Sequence, residues 1–335
     1  MRRSEREGER RYDAVMAGSF PILYIAEAEP EAAILSSGAL SHLVETLPQA
    51  DFTIVGSSDT APLFVDTPRL TRTLVLPREG RLEWITLWNQ LRDTRWALIV
   101  DMRGSIISSR LRRIKRAVRG EATPGLHAVE EAARTLQLDT IPHPRVFVSN
   151  TARVAAEALV RPDDRPILAI GPGADWIGKR WPAERYVKLF SALLGPSGAL
   201  AGGRLMIVGN QVDRESAQTI RSALNRSRLL ELQGQLTAQQ AVVALSHATL
   251  YVGSDSVWTQ LAVASGVPTI GVYGPSDETR VGPWQGVSVR GPRTIAEYRR
   301  IDPKLNQAIE HLMDLPADRV LKAANRLLVA TRTTP

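Results

Sequence analysis

Residues 251–283 read YVGSDSVWTQLAVASGVPTIGVYGPSDETRVGP. The first two close an apolar run over 248–252, which predicts a buried parallel strand. Gly253-Ser254-Asp255-Ser256 breaks that run. Trp258, Leu261, Ala262 and Ala264 then recur at helical spacing up to Gly266, a residue suited to ending a helix. Residues 268–273 form a second apolar strand, and Gly274-Pro275-Ser276-Asp277 a turn. The unit is strand, tight turn, helix, strand, with small polar residues where the helix begins. A helix start offers backbone N–H groups and partial positive charge, which suits phosphate. The plainer alternative is that Ser254 or Asp255 simply caps the helix.

The same alternation extends in both directions. Towards the N-terminus, residues 21–26, 52–55, 63–65, 73–76 and 96–100 read as strands, with helical periodicity over 34–47 and 82–95. Arg161-Pro162-Asp163-Asp164-Arg165-Pro166 is a polar linker, taken as the domain boundary. A second series follows. Strands are expected at 167–170, 205–208 and 229–232, and helices at 182–194, 213–224, 237–246 and 316–331, while a helix at 151–160 precedes the linker. The pattern predicts an α/β protein of two doubly wound, Rossmann-like parallel-sheet domains, 16–160 and 161–315. A charged arm (1–15) precedes them, and a helix and tail (316–335) follow. Ligands of such domains bind outside the carboxyl ends of the strands, in a crevice expected between the two domains. The turns predicted there are 26–33 and 101–104 from the first domain, and 171–179, 209–211 and 253–256 from the second.

At 335 residues, two domains are the better prior, and 44% hydrophobic with 23% charged residues describes a soluble protein. No apolar run is long enough for a membrane span, and Glu27, Glu29 and Glu31 interrupt the first apolar segment. The expected location is the cytoplasm. The absence of cysteine excludes disulfides, thiolate metal sites and cysteine nucleophiles, and the five histidines show no ligand spacing. The net charge of +7 points to an anionic partner. Its densest source is residues 103–119, with seven basic residues and no acidic one. Arg110, Arg112, Arg113, Lys115, Arg116 and Arg119 are expected mostly on a helix. That helix is either a solvated face or a surface for a phosphorylated glycolipid or for anionic lipid head groups, the latter a peripheral contact with an anionic inner membrane. With 5% aromatic residues and none in this patch, nucleic acid is not an expected partner.

Several blocks resemble one family. IGPGADWIGKRWPAERYVKL, LMIVGN, LTAQQAVVALSHATLYVGSDS and GVPTIGVYGPSDETRVGPW are together similar to glycosyltransferase family 9, the ADP-heptose:lipopolysaccharide heptosyltransferases and their relatives. The N-terminal blocks 21–56 and 96–113 agree more loosely. The resemblance implies a GT-B fold, a nucleotide-diphosphate sugar (ADP-linked) as co-substrate on the second domain, and a glycolipid or glycan acceptor on the first. It implies that Lys179 contacts the donor phosphates, with Gly173 and Ala174 in the loop beside it. Asp255 and Ser256 match the signature whose helix start holds the diphosphate. Leu236 lies where the adenine packs, and Gln211 near a ribose-binding carboxylate. Arg103, in the turn 101–104, and Ser254 and Val257, in the helix-start turn, complete the expected binding set.

Three positions depart from the family pattern. Its first-domain aspartate, the proposed general base, is replaced by Ala32, with Glu31 adjacent and Glu27 and Glu29 nearby. Alternate residues of an extended segment share a face, so these glutamates could all point one way, a pattern that Pro30 interrupts. Glu31, nearest the helix start, is the expected catalytic base, and the plainer alternative is that they only solvate a loop. Val257 replaces a glycine that lets phosphate approach closely, and Gln260 replaces a histidine. The chain has no D-x-D sequence, so the developing charge of the leaving diphosphate falls to Lys179 and a helix N-terminus, without metal. The reading is an inverting, metal-independent sugar transferase acting on a lipopolysaccharide or other surface glycan. The alternative is an inactive relative that binds a nucleotide-sugar or a partner protein. A GT-B-fold sugar epimerase needs acid/base carboxylates or histidine in the cleft, and the chain has no second-domain histidine placed for it. A nicotinamide dehydrogenase lacks G-x-G-x-x-G after the first strand.

Overall fold

The computed structural model describes residues 20–76, 80–214 and 217–333. The expected charged arm lies outside them. The chain divides between Phe147 and Val148 into two compact units. The sequence expectation placed that division at 161–166. The helix Asn150–Val160 belongs instead to the second unit, where the guanidinium of Arg204 donates to the carbonyls of Val160 and Arg161 at 3.0 and 3.1 Å.

The first unit holds five parallel strands: β1 (Phe20–Ile25), β2 (Ala50–Gly56), β3 (Leu70–Val75), β4 (Trp96–Asp101) and β5 (Arg113–Val118). Their order is β3-β2-β1-β4-β5. Ile22 of β1 sits opposite Phe52 on one side and Leu98 on the other. Residues 22–25 are fully buried, as a near-continuous apolar run requires of a central strand covered on both faces. Helix α1 (Pro30–Thr46) follows β1 and packs on α4 (Ala128–Thr135), while α2 (Arg81–Leu91) and the one-turn α3 (Ile107–Arg110) lie nearer β4. Two expectations fail here. The strand at 63–65 is a 3-10 turn, Ala61–Phe64, because Pro62 lacks a ladder donor and Thr60 closes the turn on the Ser57 N–H at 2.8 Å. The basic helix is an edge strand. Trp96 pairs with Arg113 and Ile99 with Arg116, and the charges suit an edge because they discourage further pairing.

The second unit holds β6 (Ile167–Gly171), β7 (Arg204–Ile207), β8 (Leu229–Glu231), β9 (Leu250–Ser254), β10 (Thr269–Tyr273) and β11 (Val287–Arg290). The order is β11-β10-β9-β6-β7-β8, again all parallel. Its helices are α5 (Asn150–Val160), α6 (Ala183–Leu194), α7 (Gln218–Ser222), α8 (Ala238–Ser246), α9 (Val257–Ser265), α10 (Glu278–Val281), α11 (Ile295–Ile301) and α12 (Ala317–Thr333). The expected separate tail is part of this unit, since Val320, Ala324 and Leu328 of α12 join the core formed by Tyr186, Phe190, Val252 and Ile270. The expected helix over 213–224 is a 3-10 turn at Gln211–Arg214 and an α-helix only at α7, and the sequence expectation did not include α4, β11 or α11. Among the described residues no helix is long and apolar enough to cross a membrane.

Candidate functional site

In a doubly wound sheet, ligands settle where neighbouring strands lead away in opposite directions. In the second unit that point lies between β6 and β9. The loops leaving these strands hold most of the residues singled out from the sequence.

Helix α9 begins as anticipated. Ser256 is its N-cap, with extended backbone and no side-chain capping hydrogen bond, and Gly266 ends it in the left-handed region at φ 79°. Neither Ser254 nor Asp255 caps it. An α-helix leaves its first N–H groups without intrahelical partners, here those of Val257 and Trp258. Asp255 is almost fully buried and accepts a 2.5 Å hydrogen bond from the Ser276 hydroxyl. Lys179, in the 3-10 turn Ile177–Lys179, places its ammonium 3.5 Å from Asp255 and 3.3 Å from the exposed carboxylate of Asp175. A lysine, a buried carboxylate and a helix N-terminus are thereby brought together from two loops.

Ser254 does not belong to the binding surface. Its side chain is fully buried, with its hydroxyl oxygen 3.2 Å from the Tyr186 hydroxyl and 3.3 Å from the Trp181 N–H that it accepts. The Trp181 indole N–H in turn donates to Leu315 at 3.0 Å. Ser254 therefore fixes the loop after β6 to the end of β9. Beneath these loops, burial raises the Tyr186 and Tyr251 phenols far above their ordinary value, so they stay neutral hydrogen-bonding groups. Gln260 also serves the scaffold: buried, it donates to the Val281 carbonyl at 2.9 Å.

The loop 172–182 is held by contacts the sequence did not reveal. Arg180 donates to the Ala174 carbonyl at 3.0 and 3.2 Å and lies 3.8 Å from Asp213. Asp213 is buried and accepts from the Asn210 N–H at 2.9 Å. A Cβ on Gly173 would lie 2.2 Å from the Asp213 carboxyl carbon, so this glycine is what lets the carboxylate in. Gln211, the residue expected near a carboxylate, is exposed, and the buried carboxylate of that turn is Asp213. Leu236 is half-buried just before the Thr237–Gln240 capping box of α8. Arg180 stands inside a recognised block next to Lys179, and Asp213 three residues beyond the block that ends at Asn210, which was the available signal.

The first-unit glutamates do not share a face. Glu27 forms an ion pair with Arg119, which also meets the buried Glu131 at 2.7 Å. Glu29 is the exposed N-cap of α1, and Glu31 is half-buried in that helix's first turn. Pro30 starts the helix at its first position, where a missing N–H costs nothing, and this ends the extended geometry that alternation assumed. Arg103 donates from Nε to the Ala26 carbonyl at 3.3 Å, and its N–H to the buried Asp101 at 3.1 Å. It therefore links the loops after β1 and β4, the switch point of the first sheet.

Residues 121–290 match the family model described as glycosyltransferase family 9 (heptosyltransferase). Lipopolysaccharide heptosyltransferase 2 of Escherichia coli strain K12 is 29% identical over 174 residues, 50% of this chain and 48% of that one. Lipooligosaccharide heptosyltransferase 2 of Haemophilus influenzae is 32% identical over 117 residues, 34% and 32% of the two chains. The matched part thus spans about half the length, or less, of these curated relatives. The solved structure of E. coli ADP-heptose lipopolysaccharide heptosyltransferase II aligns over 93% of this chain and all of that one, with a TM-score of 0.71 at 20% identity. A family 9 glycosyltransferase from Veillonella parvula aligns over 92% and 97%, with a TM-score of 0.72 at 17% identity. E. coli heptosyltransferase WaaC, solved with ADP, aligns over 92% and 99%, with a TM-score of 0.64 at 15% identity. These structural likenesses identify the fold as GT-B.

Proposed function

The chain belongs to glycosyltransferase family 9, and from that premise we propose that it transfers a heptose-like sugar from a nucleotide-diphosphate donor, ADP-linked, to a lipopolysaccharide-type or other surface-glycan acceptor. The observation that carries the reading is Lys179 beside the start of α9, at the switch point of the second sheet. Transfer breaks the bond between the anomeric carbon and the diphosphate oxygen, and negative charge grows on the leaving diphosphate. A lysine ammonium and the N–H groups of Val257 and Trp258 are preorganised donors for that charge. Asp175, exposed and 3.3 Å from the lysine, is the partner a phosphate would replace, while Asp255 holds the ammonium in place from below.

In this reading the acceptor hydroxyl attacks the anomeric carbon from the opposite side, with inversion and without metal, and Glu31 takes its proton. Glu31 stands in the first turn of α1, directly after the loop that leaves β1, while Glu27 is ion-paired with Arg119. Val257, in place of glycine at the first helical position, narrows the approach to the helix start and is consistent with a donor pocket of altered shape. The expected place of action is the cytoplasmic side of the envelope, where nucleotide-activated sugars are used.

The test is a transfer assay with purified full-length protein, ADP-heptose and a truncated lipopolysaccharide acceptor, read by mass of the product and by the anomeric configuration of the new bond. A product of inverted configuration, formed in the presence of chelator, is expected. Tight ADP binding with no transfer to any glycan acceptor would instead establish the inactive-relative reading.

A further inference from the structure

The first unit carries a hollow of about 670 Å³ between α2 and the segment leading into α3. Its volume lies in the range of small-ligand sites, roughly 300–1,000 Å³. Trp84, Ile85, Trp88 and Ile106 line it together with Arg103 and Arg110. Two of its lining residues are open to solvent, Ile106 at 78% and Ile85 at 47%, and Leu82, earlier on α2, is 75% exposed. Leu82 and Ile85 stand three residues apart on α2 and so share a face. Single exposed apolar residues are ordinary, but several gathered around one hollow mark a surface that meets something.

The charge of the surroundings says what. Arg110 lines the hollow and is exposed, and Arg112, Lys115 and Arg116 follow it into edge strand β5, also exposed. Ile114, between these cations, is 51% exposed. Trp88 is fixed in place, its indole N–H 3.4 Å from the Arg110 carbonyl and the Arg92 guanidinium 5.0 Å from its ring. Acidic groups also stand on these elements: the buried Asp101, which accepts from the Ser105 hydroxyl at 2.8 Å, Glu83 in the first turn of α2, and Asp93, 3.8 Å from Arg92. Indoles, protruding isoleucines and a row of arginines are the combination that suits the boundary between acyl chains and acidic head groups. We propose that this face of the first unit docks on an anionic bilayer, with Ile85, Ile106 and Leu82 entering the acyl boundary and Arg110 with the β5 cations meeting the head groups. Arg119 takes no part, since Glu27 and Glu131 hold it.

The experiment is cosedimentation of the full-length protein with vesicles of phosphatidylcholine, alone or mixed with phosphatidylglycerol, at low and high salt. It is joined by tryptophan quenching with acyl-brominated lipid. Binding is expected only to the anionic vesicles, weakening with salt and accompanied by quenching that Trp84→Phe reduces. Arg110→Gln should weaken binding about fivefold, and Ile106→Asp about tenfold or more. The thermal unfolding midpoint of each variant serves as the check that it folds. No cosedimentation at low salt overturns the proposal. So does binding that Arg110→Gln weakens while Ile106→Asp does not and brominated lipid does not quench, which is adsorption by charge alone. Saturable binding of monomeric decyl phosphate without vesicle binding also overturns it, assigning the hollow to a soluble amphiphile. Vesicle binding needs no sugar donor, so its outcome is separate from that of the transfer assay.

Discussion

Replacing Lys179 by alanine separates two roles that its position combines. The ammonium sits 3.5 Å from the buried Asp255 carboxylate and 3.3 Å from Asp175. At an effective dielectric near 20, a charge pair at that separation attracts by about 5 kcal/mol before any cost of desolvation. Lys179 keeps nearly a quarter of its side chain in solvent, so the net effect is smaller than for a fully buried pair. Leaving Asp255 without its cation should lower unfolding stability by about 1–3 kcal/mol, between the exposed and buried cases. Nucleotide binding should suffer separately. A lost charge-assisted phosphate contact is worth about 1.5–3 kcal/mol, or roughly 10- to 150-fold in ADP affinity. Calorimetric titration with ADP at low salt reads the second effect, and chemical denaturation the first. The double variant Lys179→Ala/Asp255→Asn removes both charges. It should recover most of the stability while affinity stays low, because no carboxylate change restores a donor to the phosphate. Equal ADP affinity in wild type and Lys179→Ala refutes the assignment. Full recovery of affinity in the double variant shows instead that the lysine only neutralises Asp255.

Glu31→Gln should lower transfer turnover by about 10²–10⁴-fold if Glu31 is the general base, with ADP affinity unchanged. Turnover equal to wild type in a single-turnover assay removes it from that role. Gly173→Ala forces a Cβ towards 2.2 Å from the Asp213 carboxyl carbon, so Asp213 must shift off the Asn210 N–H. Overpacking with loss of that bond should cost about 2–4 kcal/mol in denaturant unfolding and weaken ADP binding, whereas an unchanged midpoint would show that the loop yields freely. Arg290 binds Glu278 through Nε at 2.6 Å and also the Gly274 and Ser276 carbonyls, so it clamps the turn that brings Ser276 to Asp255. The hydrogen bond from Arg290 holds the Glu278 carboxyl below its ordinary value of 4.5. Its stabilising contribution is therefore complete above that pH and is lost as pH falls below it towards the lowered folded value. The acid limb of a stability–pH curve should flatten in Glu278→Gln, and an unchanged limb would show that the clamp does not respond to pH.

The sequence by itself determined the alternation of strands and helices, the parallel sheets and the start of α9. Each of these is written locally. Ile22 to Ile25 and Leu250 to Val252 are apolar without interruption because both faces of their strands are covered. Trp258, Leu261 and Ala262 keep helical spacing, and Gly266 can take the left-handed backbone that ends the helix. The family resemblance likewise rests on contiguous blocks, and these brought Lys179 and Asp255 into consideration. Tertiary structure decided what each charge meets. Arg119 looked like part of a basic surface until it was found held between Glu27 and Glu131. Ser254 looked like a phosphate ligand, yet its hydroxyl is committed to Tyr186 and Trp181. Asp213 drew no notice, though the missing side chain of Gly173 makes room for it. Residues 113–118 carry mixed apolar and basic side chains that fit helix or strand equally, and only the free edge of β4 settled them as a strand. Backbone pattern is set by neighbours a few residues away. The fate of a charge depends on burial and on partners brought from distant segments, which no local window contains.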